Sequence, residues 1–244
     1  MQSFVIVCTC FLPHYVRAGA SMFTSIVASH DLVVACEGTN LRVPDIVHVM
    51  SFGKEVGTVD MPPDLDSANF KQSVCDQIEG GLIIDNNAGA IYVAMDDMYG
   101  KSSFGASLIK IDIATLKIVT RLKMPAFKGP VTTIRGTTPG AMMMTPHDTL
   151  LLSDRQGRFH VVDLSTFSFT KTVTLPEDLC ENAKSEATSI AFDSGSGAAF
   201  LNVCGNVHRM SLQTMEITSS LKGSFIEGKL FYTNGYLLAY ANVP

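Results

Sequence analysis

Ser107-Leu108-Ile109-Lys110-Ile111-Asp112-Ile113-Ala114-Thr115-Leu116-Lys117-Ile118-Val119-Thr120-Arg121-Leu122 lies without gaps over residues 158–173 (RFHVVDLSTFSFTKTV) and over 206–221 (NVHRMSLQTMEITSSL). Hydrophobic residues coincide at Leu108/Phe159/Val207, Ile111/Val162/Met210, Ile113/Leu164/Leu212, Leu116/Phe167/Met215, Ile118/Phe169/Ile217 and Leu122/Val173/Leu221. Thr115, Thr166 and Thr214 fall at one repeat position, 51 and 48 residues apart. An earlier, slightly shorter copy occupies 46–59, IVHVMSFGKEVGTV. Self-similarity at a fixed period identifies the supersecondary unit of a chain, so it takes precedence over any single motif.

Each copy reads as two strands around a tight turn. Ile109, Ile111 and Ile113 alternate with polar or charged residues, Ala114-Thr115 turns, and 118–122 returns. A second pair of apolar runs precedes each copy. Leu82-Ile83-Ile84 and Ile91-Tyr92-Val93-Ala94 flank Asp85-Asn86-Asn87-Ala88-Gly89, and Ile190-Ala191-Phe192 and Ala199-Phe200-Leu201 flank Asp193-Ser194-Gly195-Ser196-Gly197. Those Asp/Asn/Gly/Ser clusters are turn chemistry at matching places. Residues 24–36 follow the same plan around Ser29-His30-Asp31, and the third copy has its first strand within 131–144. The unit is therefore four antiparallel strands in roughly 45–50 residues, the size of a propeller blade. A lone four-stranded sheet exposes apolar faces that radial packing of neighbours buries.

The expected fold is all-β: a β-propeller of four-stranded antiparallel blades over 23–244, after an N-terminal strand or signal segment at 1–22. Four complete blades fall at about 23–62, 80–125, 131–176 and 187–223, with a partial fifth at 224–244. Two readings remain open, a small closed ring in which residues 4–11 complete the fifth blade, and a fragment of a larger propeller.

The run Ile91-Tyr92-Val93-Ala94 followed by SLIKIDIATLKIVTRLKMP (107–125) resembles the YVTN-type propeller repeat, as does LLLSDRQGRFHVVDLST (150–166). The resemblance covers roughly 200 residues, by comparison with repeat lengths of this class. It implies a repeat architecture shared by binding modules, phosphogluconolactonase-like lactonases and quinoprotein-like subunits. The chain is shorter than the seven blades usual there, and no Trp-Asp ends a blade as in WD40 repeats. The absence of Trp from the composition argues against quinone-binding propellers, so no cofactor is expected.

With 18 Lys+Arg against 23 Asp+Glu and no basic block, nothing recommends a nucleic-acid or anionic-membrane partner. No apolar run reaches the ~18 residues that span a bilayer. At the N-terminus, Phe4-Val5-Ile6-Val7-Cys8-Thr9-Cys10-Phe11-Leu12 and Ala18-Gly19-Ala20 resemble a secretory leader. The lack of a basic residue before the apolar run favours a buried strand instead. The compartment stays open, with the cues leaning to the cytoplasm. Cys8-x-Cys10 has no second half with metal-site spacing. Cys36 and Cys204 end apolar runs and read as small buried hydrophobes. Cys75 and Cys180 lie in connecting segments, and whether they pair is left open.

In a propeller the loops between second and third strands share one face with the connections between blades, and binding residues concentrate on such loops. That face is expected to carry Glu37, Asp96, Asp97, Tyr99, Lys101, Asp154, Arg155 and Gln156. Asp96-Asp97 with Glu37 offers oxygens for Ca²⁺, but no D-x-[DN]-x-[DN]-G loop is present and solvated surface acids are the commoner state. His160 and His208 share a repeat position and read as outward or hydrogen-bonded core residues. Met142-Met143-Met144 reads as adaptable packing. No HExxH, GxSxG or phosphate-loop motif occurs. The leading expectation is a non-catalytic module that binds a protein or other ligand through the loop face. The alternative is a lactonase-like hydrolase using Glu37, Asp97, Asp154 and Arg155, with or without Ca²⁺.

Overall fold

The computed structural model describes residues 22–38, 46–61, 81–95, 106–125, 139–154, 157–180, 187–223 and 229–240. The first blade is β1 (Met22–Ser29), β2 (Leu32–Gly38), β3 (Ile46–Ser51) and β4 (Lys54–Asp60). The second is β5 (Leu82–Asp85), β6 (Ala90–Met95), β7 (Ser107–Asp112) and β8 (Lys117–Lys123). The third is β9 (Pro139–Thr145), β10 (Thr149–Asp154), β11 (Arg158–Asp163) and β12 (Ser168–Thr174). The fourth is β13 (Ala187–Asp193), β14 (Ala198–Val203), β15 (Asn206–Ser211) and β16 (Glu216–Leu221). A half-blade follows, β17 (Lys229–Thr233) and β18 (Tyr236–Tyr240). Strands pair in sequence order within every sheet, all antiparallel. Residues 4–11, expected as a strand or leader, lie outside the described residues.

The first strands of successive blades touch one another, β1 to β5, β5 to β9, β9 to β13 and β13 to β17, which makes them the innermost. The fourth strands β4, β8 and β16 are largely exposed and form the rim of the disc. Strand alternation sends one set of side chains to the preceding blade and the other to the following one. Val34, Val47 and Val59 meet Ile91, Ile109 and Ile111 between the first two blades. Tyr92 and Leu108 meet Leu152 and Val162 between the second and third. Leu151 and Phe159 meet Leu201 and Met210 between the third and fourth. Ala191 and Val207 meet Leu230 of the half-blade. Among the described residues no blade has a core of its own; the core is the set of interfaces.

Two local devices recur at fixed repeat positions. Each third-to-fourth strand pair shifts register once, at Val49/Met50, Lys110/Ile111, Val161/Val162 and Arg209/Met210. A bulge there increases the twist of the outer strand, which a radial sheet needs. The other device is a left-handed residue just before the fourth strand: Leu116 (φ 53°), Phe167 (φ 47°) and Met215 (φ 61°). This backbone costs roughly 1–2 kcal/mol for a side chain other than glycine. All three side chains pack into the core shared with the preceding blade, which offsets the strain. Ile113 therefore belongs to a turn and not to the strand expected to contain it; β7 ends at Asp112.

Acid side chains close those turns. The Asp112 carboxylate accepts from Thr115 Oγ1 at 2.6 Å and Thr115 N at 2.7 Å. Asp163 accepts from Ser165 Oγ at 2.6 Å, Ser165 N at 2.8 Å and Thr166 N at 3.0 Å. The Thr115 hydroxyl holds the Asp112 pKa below its ordinary 3.8, and the Ser165 hydroxyl does the same for Asp163. A pKa depressed in the folded state contributes stability above about pH 4 that is lost as pH falls through the folded value. The melting temperature should thus fall as pH drops below 4, and Asp112→Asn/Asp163→Asn should flatten that fall. An unchanged slope in a pH series of thermal melts would remove these carboxylates from the acid response.

Gly57, in β4, marks a tight approach between blades: a Cβ there would run into the Leu116 side chain. Gly57→Val is expected to destabilise by about 1–3 kcal/mol through overpacking. Gly57→Ala should cost less, because the end of Leu116 can rotate. Urea midpoints of the two variants check the order.

The cysteines depart from expectation. Cys204 bonds to Cys180 across a Cα–Cα distance of 5.8 Å, and Cys36 is disulfide-bonded as well. Neither Cys36 nor Cys204 is an inert buried thiol, and Cys180 is not the partner of Cys75. The reason is topological. The chain leaving β12 brings Cys180 to the two-residue β14–β15 turn carrying Cys204.

Candidate functional site

Connections at the two ends of the sheets differ in kind. First-to-second and third-to-fourth strand turns sit at one end and are short, from residues 30–31 and 52–53 up to four-residue turns such as 86–89 and 113–116. The other end carries the second-to-third strand loops and the connections between blades, including 39–45, 61–81, 96–106, 124–138 and 175–186. Short turns stabilise strand register. Long connections on a rigid frame are where recognition surfaces are built. Of the residues expected on this face, Asp96, Asp97, Tyr99, Lys101, Arg155 and Gln156 lie outside the described residues.

The two that are described, Glu37 and Asp154, occupy one repeat position at the ends of β2 and β10. Each is joined to a histidine on the neighbouring strand. Glu37 Oε2 is 2.7 Å from His48 Nε2, and the other ring nitrogen lies 3.3 Å from Glu55 Oε2. Asp154 Oδ2 is 3.0 Å from His160 Nε2, whose Nδ1 lies 2.9 Å from Thr172 Oγ1. A carboxylate only accepts, so Nε2 of His160 carries the proton. The register places His48, His160 and His208 at the same point of their blades, with Ile109 in the second.

The two pairs differ in environment. Glu37 and His48 are partly exposed. Asp154 is wholly buried and also accepts from Arg158 N at 2.9 Å and Nε at 2.7 Å, with Nη2 at 2.6 Å. Burial alone would raise the Asp154 pKa; the His160 hydrogen bond and the Arg158 charge outweigh it and hold it below the ordinary value. Ser153 Oγ, beside it, donates to Ala187 O at 2.8 Å and ties the third blade to the fourth. This carboxylate is committed to the inside of the sheet stack and is not presented on the loop face. A hydrolase reading that employs Asp154 as acid or base meets a group already saturated by Arg158 and His160.

The fourth blade keeps the histidine and its hydroxyl neighbour but lacks the acid and the arginine, since Val203 and Asn206 stand where the third has Asp154 and Arg158. His208 Nδ1 lies 2.8 Å from Ser220 Oγ, while Nε2 has no hydrogen-bond partner among the described residues. Burial pushes the His208 pKa down, and the negative charge of Asp178 opposes this only in part. Among the described residues, no group of three or more His, Cys, Asp or Glu side chains is arranged to hold a metal, and no helix is long and apolar enough to cross a membrane.

His48 was not singled out by the sequence reading. The signal was present: laying 46–59 on the later copies in strand register aligns His48 with His160, and Glu37 with Asp154. The shorter third-to-fourth turn of the first blade, Phe52–Gly53, obscured that alignment.

No family model matches the chain, and no curated protein matches it. Solved structures do. BamB from Moraxella catarrhalis superposes with TM-score 0.55 at 14% identity, covering 90% of this chain and 56% of that one. The WD40 β-propeller domain of Doa1 superposes with TM-score 0.56 at 11% identity, covering 90% and 60%. The fold is a β-propeller. The chain spans somewhat over half the length of these two structures, and at such identities the likeness extends to the fold alone.

Proposed function

We propose that the chain is a YVTN-type propeller module that binds a protein partner, without catalysis, through the face carrying its long connections. The observation that carries this reading is the asymmetry of the two ends, with turns of at most four residues on one and connections as long as 61–81 on the other. Asp96, Asp97, Tyr99, Lys101, Arg155 and Gln156 are the contact residues proposed on it, with Glu37 at its edge. The buried state of Asp154 favours a scaffold over a hydrolase, because that acid is occupied in holding the blade together. The Cys180–Cys204 bond supports an oxidising compartment, against the cytoplasmic leaning of the sequence cues.

Site-specific photo-crosslinking tests the proposal. A photoreactive residue at Asp97 or Gln156 should give discrete adducts in the native host, whereas the same residue at Asn87 or Thr115, on the short-turn end, should give none. Equal labelling from both ends would overturn the assignment of the face. Turnover of a lactone by the purified chain, abolished by chelating Ca²⁺, would replace binding with hydrolysis.

A further inference from the structure

His48, His160 and His208 stand at one repeat position, and among the described residues only His208 lacks a carboxylate bonded to its ring. His208 is 4% exposed. Its Nδ1 lies 2.8 Å from Ser220 Oγ, and its Nε2 is buried without a hydrogen-bond partner. Strand alternation puts His208 on the face of β15 that carries Met210, turned toward the third blade. That interface is apolar, with Leu201 and Val203 from β14, Leu151 and Phe159 from the third blade and Leu179 from the connection. The charged groups nearby are placed elsewhere. Lys171 reaches Leu212 O and Gln213 O at the short-turn end, and Arg209 shares the opposite face of β15 with Val207. Asp154, Arg158 and His160 turn with Val162 toward the second blade. What remains is the exposed 3-10 turn Glu177–Leu179, from which the charge of Asp178 acts on the ring beside that of Glu177.

We propose that His208 is an acid-sensitive latch between the third and fourth blades: the neutral ring closes the joint, and protonation drives it out and loosens the connection at 177–180. Imidazolium carries a donor on both nitrogens. The second donor of His208 points into an apolar interface, where an unpaired charge is costly. The third blade shows what satisfies such a donor, since Asp154 fills that place for His160. Val203 fills it for His208. Burial is the larger influence on His208 and Asp178 opposes it only in part, so the pKa lies below the ordinary 6.5. The unfolded chain therefore takes up this proton first. The contribution to stability is complete above about pH 6.5 and is lost as pH falls below it toward the folded value. That window lies above the one in which Asp112 and Asp163 act. The Cys180–Cys204 bond keeps the loosened connection attached to its blade. None of this depends on which end of the sheets binds a partner.

The test uses the intact, disulfide-bonded 244-residue chain. Exchange of the histidine ring C2 proton, read peptide by peptide by mass spectrometry across a pH series, should be slow at His208 and should titrate below 6.5. Amide exchange at 177–180 and 207–209, corrected for the intrinsic effect of pH, should be at least about ten-fold faster near pH 5 than near pH 7, the equivalent of one pKa unit. Amides 91–95 of the second blade should not change. Val203→Asp gives His208 the acid that the third blade has and should remove this acid response. His208→Gln should remove it as well, whatever its effect on overall stability. If either variant does not fold, the two measurements on the unaltered chain decide the matter. The latch is overturned if His208 titrates at or above 6.5, or if amides 177–180 and 207–209 are equally protected at both pH values. A folded variant of either kind that keeps the parent's acid response overturns it too.

Discussion

Asp154→Ala is expected to destabilise the protein by about 3–5 kcal/mol, the range for removing one partner of a buried ion pair. The cost comes from what stays behind. Arg158 keeps its charge while its side chain is 8% exposed, and His160 Nε2 loses its acceptor. Against a total stability of about 5–15 kcal/mol, such a loss is large. The fourth blade supplies the control, since it does without the ion pair by placing Val203 and Asn206 at these positions. The double variant Asp154→Val/Arg158→Asn should therefore be markedly more stable than Asp154→Ala, because a buried pair exchanged for packed neutral groups is often near neutral. Urea unfolding with a constant m-value would measure both. A loss below about 1 kcal/mol for Asp154→Ala, the scale of an exposed pair, would mean that water reaches this carboxylate.

Opening the Cys180–Cys204 bond should have the next largest effect. It closes a segment with a sequence separation of 24, and the chain-entropy estimate for a loop of that size is about 3.5 kcal/mol. For a chain of this length such a loss lowers the melting temperature by roughly 7–14 °C. Cys180→Ser/Cys204→Ser should reproduce the effect of reductant, and reductant should then add little at this site. The change should be local, with exchange rising first around Glu177–Leu179 and the turn at Cys204–Gly205. Quantitative alkylation of both thiols in the denatured, unreduced protein would contradict the bond directly.

Much of this architecture is legible in the chain because each blade repeats local rules. The alternation of Ile109 and Ile111, the Asp/Asn/Gly turns and the coincidence of Leu116, Phe167 and Met215 depend on neighbours in sequence, and they specify strands and turns. The aliphatic positions of that pattern became the interfaces between blades. What it did not convey was the turn conformation itself. A hydrophobic residue that looked like part of a strand, Ile113, sits in a turn because Asp112 captures the Thr115 amide and hydroxyl. The repeated bulge was equally invisible, since a register shift leaves the hydrophobic pattern intact.

The candidate site was less legible, and Asp154 and Glu37 show why. Both end a second strand, and sequence position alone assigns both to the loop face. Which of them reaches solvent is decided by residues elsewhere: Arg158 and His160 fold over Asp154 from the next strand, whereas Glu37 and His48 remain partly exposed. The cysteines follow the same logic, because Cys180 and Cys204 approach only where a connection between blades crosses a turn.

By itself the sequence determined the four-stranded unit, its repetition and the side chains that fill the interfaces, all consequences of period-two burial and local turn chemistry. Only the tertiary structure decided which acids are paired inside and which cysteines join, because each depends on distances between segments that have no fixed relation along the chain.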